Sequence, residues 1–109
     1  MVKFVLMIPR RQDLSREEFL DRWRNQCVPA VRNLKGLRRY VINPTVEQPG
    51  GEAPKYEAIG ELWFDSVEAG QEALESPEGR KMQEDLETFA DMKNLAMSVT
   101  REEEISVQP

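Results

Sequence analysis

The first eight residues are almost all apolar, and they are apolar on both parities: Val2, Phe4, Leu6 and Ile8 alternate with Lys3, Val5 and Met7. Successive side chains of a strand point to opposite faces, so a run of this kind needs cover on both sides. It predicts a strand at the centre of a sheet. The run is too short to span a bilayer. Its basic residues, Arg10 and Arg11, follow the apolar stretch instead of preceding it, and no small-residue cleavage site comes after. It therefore reads as a buried strand and not as a signal peptide.

The rest of the chain supplies partners for that strand. Ser15 followed by Glu18 has capping-box spacing, and Phe19, Trp23, Val28, Val31 and Leu34 continue at roughly helical intervals. Pro29 falls within this helix and must break or kink it, and Gly36 is placed to end it. A second strand is expected over Leu37 to Val46, with Pro44 marking an edge or a bulge. The Pro- and Gly-rich stretch from Glu47 to Pro54 predicts a solvent loop, and Tyr56 to Phe64 a third strand. Ser66 opens a short helix. Ser76-Pro77 then restarts a helix with a capping serine and a proline in its first turn, with Met82, Leu86, Phe89 and Met92 on its buried face. A last strand is expected over Lys93 to Ile105, with Leu95, Met97 and Val99 on one side.

The order strand, helix, strand, strand, helix, strand predicts an α+β ferredoxin-like fold, βαββαβ, filling one domain over residues 1–109. Such a four-stranded antiparallel sheet carries helices on one face only. An apolar sheet face without helices needs a partner, and two sheets packed back to back would make a homodimeric α/β barrel.

Composition removes several function classes. With 15 basic and 20 acidic residues the net charge is −5, which argues against nucleic acid, since a phosphate backbone needs a concentrated basic surface. A single cysteine forms no internal disulfide, consistent with a reducing, cytoplasmic setting. The sequence has no histidine, which removes the commonest metal ligand and general base. Gly50-Gly51 lacks the remainder of a phosphate-binding loop. No metal site and no cofactor is expected, and no membrane association.

Two residues stand out as candidates for chemistry. Tyr40, in mid-strand, can donate to a ligand oxygen or act as a general acid; its plainer role is core packing with the hydroxyl on a carbonyl. Cys27 sits where Pro29 disrupts the helix and could face a cavity, although a free cysteine is usually a small buried hydrophobe. Trp23, Trp63 and Phe89 could wall a flat apolar or aromatic ligand, and Asn43 could orient it. Each also fits a structural position. Glu61 shares a strand face with Ile59 and Trp63, as either a desolvated carboxylate with a raised pKa or one arm of a salt bridge at a dimer seam.

Several stretches together resemble an EthD-type domain: Phe19 and Trp23-Arg24, Val28-Pro29, Gly36-Leu37-Arg38-Arg39-Tyr40-Val41, Glu61-Leu62-Trp63-Phe64-Asp65 and Ser76-Pro77-Glu78-Gly79. The resemblance implies the dimeric α/β-barrel superfamily. Its members accompany oxidative degradation systems, and relatives act as cyclases, dehydratases or isomerases on aromatic and polyketide-like molecules. Such domains usually carry a histidine two residues before the helix proline, where this chain has Cys27. The methylmuconolactone isomerases are similar around Ala58 to Phe64, but their pocket cysteine falls where Leu62 stands. Haem-degrading relatives use a histidine iron ligand that this chain lacks. The leading reading is a pocket protein for a small aromatic or polyketide-like molecule, in which Tyr40 donates to a ligand oxygen and Cys27 lines the pocket. The alternative is a non-catalytic accessory protein of a degradation or biosynthetic cluster, and a third reading is a purely structural dimer module.

Overall fold

The strand Val2–Ile8 (β1) lies inside the sheet, as its two-sided apolar pattern requires. The computed structural model describes all of residues 1–109. The sheet is antiparallel, ordered β2-β3-β1-β4, with β2 spanning Arg39–Pro44, β3 Ala58–Phe64 and β4 Ala96–Thr100. Phe4 stands opposite Leu62 on one side and Val99 on the other, and Lys3 opposite Trp63 and Thr100. This register puts Val2, Phe4, Leu6 and Ile8 with Leu62 and Phe64 under the helices, where they form one core with Phe19, Trp23, Val31, Met82 and Leu86. The ferredoxin-like βαββαβ order is present.

The first helical stretch does more than kink at Pro29. Helix α1 (Arg16–Arg22) opens with a complete capping box: Ser15 Oγ accepts from the Glu18 N–H at 3.1 Å, and the Glu18 carboxylate accepts from the Ser15 N–H at 2.9 Å. The chain then widens into a π-turn over Trp23–Cys27, in which the Val28 N–H reaches the Trp23 carbonyl, before α2 (Val28–Arg32) resumes. Pro29 has no N–H to offer the turn before it, which favours irregular bonding there. The turn also solves a geometric problem. Phe19, Trp23, Cys27 and Val31 recur every four residues, and all four are buried. An α-helix overshoots a full turn by about 40° in four residues, so three such steps would carry Val31 roughly 120° from Phe19. One wider π-turn takes part of that drift back and keeps the row facing the sheet.

The second helical pair is held at close range. Ser66 caps α3 (Val67–Glu75), and Ser76 caps α4 (Pro77–Glu87) by accepting from the Gly79 N–H at 3.1 Å. A methyl group at Gly79 would overlap the carbonyl oxygens of Ala73 and Leu74, and one at Gly70 would overlap the Phe4 ring. Glycine at these two positions is what lets α4 start against α3 and α3 lie on the sheet.

Several elements are shorter than their sequence pattern suggests. The strand expected over Leu37 to Val46 pairs only from Arg39 to Pro44, and that expected from Tyr56 begins at Ala58. Pro44 has no donor for the ladder. Beyond it, Glu57 instead gives its N–H to Ile8 and its carbonyl to Thr45. The last strand pairs from Ala96 to Thr100 alone, not over Lys93 to Ile105. Helix α4 ends at Glu87, so Phe89 is buried from the turn that follows, whereas Met92 is 39% exposed and does not join the buried face.

The sheet face away from the helices is mixed instead of uniformly apolar. Val5, Met7, Val41 and Ile59 are its half-buried apolar part. Between them Lys3 Nζ donates to Glu61 at 2.6 Å, and Asn43 Nδ2 donates to the same carboxylate at 2.9 Å. The Trp63 ring lies between the Arg39 guanidinium at 4.5 Å and Lys3 Nζ at 5.2 Å, and these cations leave it 7% exposed. No helix is long and apolar enough to cross a membrane.

Candidate functional site

An apolar cavity of about 10 Å³ lies between the sheet and the helices, large enough for roughly one water molecule. Its floor is Leu6, Gly60 and Leu62; its roof is Trp23, Cys27 and Val31 from the first helical stretch and Met82 and Leu86 from α4. Tyr40, half-buried on the edge strand β2, brings the hydroxyl. A larger hollow of about 640 Å³ beside Arg11, Asp13 and Glu87 is an open cleft among charged side chains. The apolar lining of the smaller cavity, with the Tyr40 hydroxyl at its edge, has the chemistry of a small-molecule site, at a volume far below the roughly 300–1,000 Å³ that such sites have.

Its polar chemistry is simple. The Trp23 Nε1–H donates to Tyr40 Oη at 3.1 Å. Tyr40 accepts this bond and keeps its own O–H to donate. Burial raises the Tyr40 phenol above its ordinary value, outweighing the lowering effect of the indole bond. Burial likewise pushes the Cys27 thiol up to about 12, with the nearby Asp85 carboxylate adding in the same direction. At neutral pH both groups keep their protons. Cys27 is thus no nucleophile as it stands, since the thiolate is the reactive form, and Tyr40 is a donor and not a base. No three metal-ligating side chains cluster anywhere in the fold.

The structure brings Trp23, Cys27 and Tyr40 together at this cavity and separates the other three candidates from it. Asn43 and Trp63 have the opposite strand parity and lie on the helix-free face, Asn43 bonded to Glu61 and to the Ile59 carbonyl. They cannot touch a ligand held beside Tyr40, because the sheet stands between. Phe89 is fully buried behind Phe19, edge to face at 5.2 Å, and does not line the cavity. Glu61 forms an ion pair: the Lys3 hydrogen bond, followed by that from Asn43, holds its pKa below the ordinary value. A raised carboxylate pKa is therefore not found there.

The sequence reading missed Gly60 and Glu57. Gly60 contributes bare backbone to the floor beneath the Trp23 ring, and a Cβ there would meet the indole at 3.5 Å, an ordinary contact. Its signal was a lone glycine within a strand pattern. Glu57, 5% exposed, lies 3.4 Å from Arg10 Nε and 3.6 Å from Arg16 Nε and joins β3 to the first helix. Nothing in its local sequence marked it.

The comparisons agree with this fold. The model of the EthD domain matches residues 11–93. An ethyl tert-butyl ether D (EthD) family protein from Bacillus halodurans superposes with a TM-score of 0.80 at 28% identity, over 94% of this chain and 99% of that one. A dimeric protein of unknown function and ferredoxin-like fold from Bacteroides fragilis gives 0.69 at 13% identity, over 90% and 92%. SnoaB, a cofactor-independent oxygenase from Streptomyces nogalater, gives 0.65 at 12% identity, over 95% and 94%. The last two likenesses show the fold alone. No curated protein matches the sequence. With a family match across most of its length, the chain belongs to the EthD family.

Proposed function

We propose that this protein binds a small aromatic or polyketide-like molecule in the cavity between sheet and helices, with Tyr40 donating its hydroxyl proton to a ligand oxygen. The observation that carries this reading is the Tyr40 hydroxyl itself: it is protonated and half-buried, and its proton is not committed to the indole that bonds it. Cys27 lines the same space as a neutral thiol. Catalysis, where it occurs, comes mainly from confining and orienting a reactive ligand, as acid–base assistance is limited to a weak phenolic acid. A place in an oxidative pathway fits the likeness to SnoaB, which is described as a cofactor-independent oxygenase.

The test is a titration with 2-naphthol, a flat aromatic carrying one hydroxyl. Tyr40→Phe keeps the ring and removes one hydrogen bond, so Kd is expected to rise by about three- to tenfold. An unchanged Kd would take the donor role away from Tyr40. A second reading, a non-catalytic accessory protein, is favoured by the lack of any site group that titrates near neutral pH.

The helix-free sheet face suits a second copy of the chain. Val5, Met7, Val41 and Ile59 are apolar, and the Lys3–Glu61 pair beside them is already satisfied within the chain. The Bacteroides fragilis protein of like fold is described as dimeric. Sedimentation should give twice the 12.6 kDa chain mass, and Val5→Glu should return it to a single copy. A wild-type protein that sediments as one chain rejects the dimer.

A further inference from the structure

The cavity is much smaller than any ligand the proposed function calls for. At about 10 Å³ it admits one water molecule, whereas a benzene-sized molecule needs roughly 150 Å³ of apolar space. Something must move, and the wall offers one side chain of suitable size and attachment. Trp23 is 1% exposed, lies over the bare Cα of Gly60, and fills the volume beside Tyr40. Its polar anchor in that place is the single bond from Nε1–H to Tyr40 Oη. Its backbone begins the π-turn Trp23–Cys27, where the regular helical ladder is interrupted and Pro29 supplies no donor one turn on. Tyr40 sits on β2, an edge strand, and Gly60 on its neighbour β3, so the indole spans the two strands at the β2 side of the sheet.

We infer that Trp23 is the gate and size filter of this cavity: its indole occupies the ligand's place, latched by Tyr40, and leaves it when a hydroxyaromatic molecule of similar size takes over the bond. The inference rests on the cavity being the binding site. The chemistry of the exchange narrows the ligand. The indole N–H donates to Tyr40 Oη, so a replacement that keeps this oxygen satisfied must be able to donate there. Two facing hydroxyls hold a single proton between their oxygens, so each pair makes one bond, in one direction or the other. A phenolic or enolic hydroxyl can take either part, donating to Tyr40 Oη as the indole does or accepting the Tyr40 proton. A ketone or an ether can only accept, and would leave the Tyr40 oxygen without the donor it now has. The filter thus selects hydroxylated one- or two-ring aromatics over their methyl ethers.

Hydrogen exchange of the indole N–H tests the gate without any ligand. Trp63→Phe assigns the two indole resonances. The Trp23 Nε1–H is expected to exchange faster than the slowest backbone amides of β1 and β3, because it opens without global unfolding. In Tyr40→Phe its exchange should accelerate about fivefold beyond any change in those amides, the effect of losing one hydrogen bond. Exchange that follows the slowest amides in both proteins overturns the gate. Ligand capture is measured separately. An indole that opens in a protein to which 2-naphthol does not bind keeps the gate and rejects the binding site. Binding of 2-naphthol at the cavity with the Trp23 indole resonance unmoved does the reverse.

Discussion

Replacing Phe19 by alanine is expected to lower stability by about 3–5 kcal/mol, the usual cost of truncating a fully buried aromatic ring. Phe19 is fully buried and touches two other rings edge to face, Trp23 at 6.0 Å and Phe89 at 5.2 Å. Such pairs add about 0.5–1.5 kcal/mol beyond the area they bury, which places this site at the upper end of the range. A domain of this size has a total stability of about 5–15 kcal/mol, so the loss is a large share of it. Thermal unfolding should move down by on the order of 20 °C. Phe19→Leu refills much of the space and should recover more than half of the loss. If Phe19→Ala shifts the midpoint by less than about 5 °C, the three-ring cluster is not what fixes α1 to the rest of the core. The cluster also carries functional weight, since Phe19 backs the Trp23 indole at the cavity.

A steep loss of stability in alkali is the second large effect expected. In the unfolded chain the Cys27 thiol titrates near an ordinary value of about 8.5, and in the fold at about 12. Between these values the unfolded chain has released the proton and the folded one has kept it. Unfolding then releases a proton, and rising pH favours it. The stability from this group is complete below about pH 8.5 and falls by about 1.4 kcal/mol per pH unit above it. By pH 11 the loss reaches about 3 kcal/mol. Tyr40 acts in the same direction from about pH 10, because its folded pKa is also raised by burial. Urea unfolding of wild type and Cys27→Ala, under reducing conditions from pH 7 to 11, separates the two. Cys27→Ala should lose less stability over this range, by about 3 kcal/mol. Parallel loss in both proteins would mean that the thiol is not held protonated by its surroundings.

Much of this fold was legible in short-range pattern. The two-sided apolar run from Val2 to Ile8 placed the central strand, and serines at 15, 66 and 76 marked three helix starts where each side chain does cap. The ends of strands were not legible, because pairing stops where a partner stops: Thr100 is the last residue of β4 to find one, at Lys3. The π-turn had a visible trace in the strict spacing of Phe19, Trp23, Cys27 and Val31, a row that a straight α-helix cannot keep on one face. That trace says that the helix must deviate, and the proline two residues past Cys27 says roughly where.

The site was legible in part, for a reason tied to parity. Tyr40 and Asn43 are three residues apart on one strand, as Trp63 and Gly60 are on another, and an odd separation puts side chains on opposite faces. Residue type alone proposes Trp23, Trp63 and Phe89 as one wall; the register sends Trp63 to the other face. The bond between Trp23 and Tyr40 joins residues 17 positions apart and depends on how α1 crosses the sheet, which no local pattern encodes.

The most direct test of the account is residue-resolved mapping of a bound aromatic. Isotope-labelled protein titrated with 2-naphthol should show saturable shifts at Trp23, Cys27, Tyr40, Gly60, Leu62 and Met82, with Lys3, Glu61 and Trp63 on the far face unmoved. Shifts confined to Trp63 and its neighbours on the helix-free face, or no saturable shift at the cavity, would contradict it.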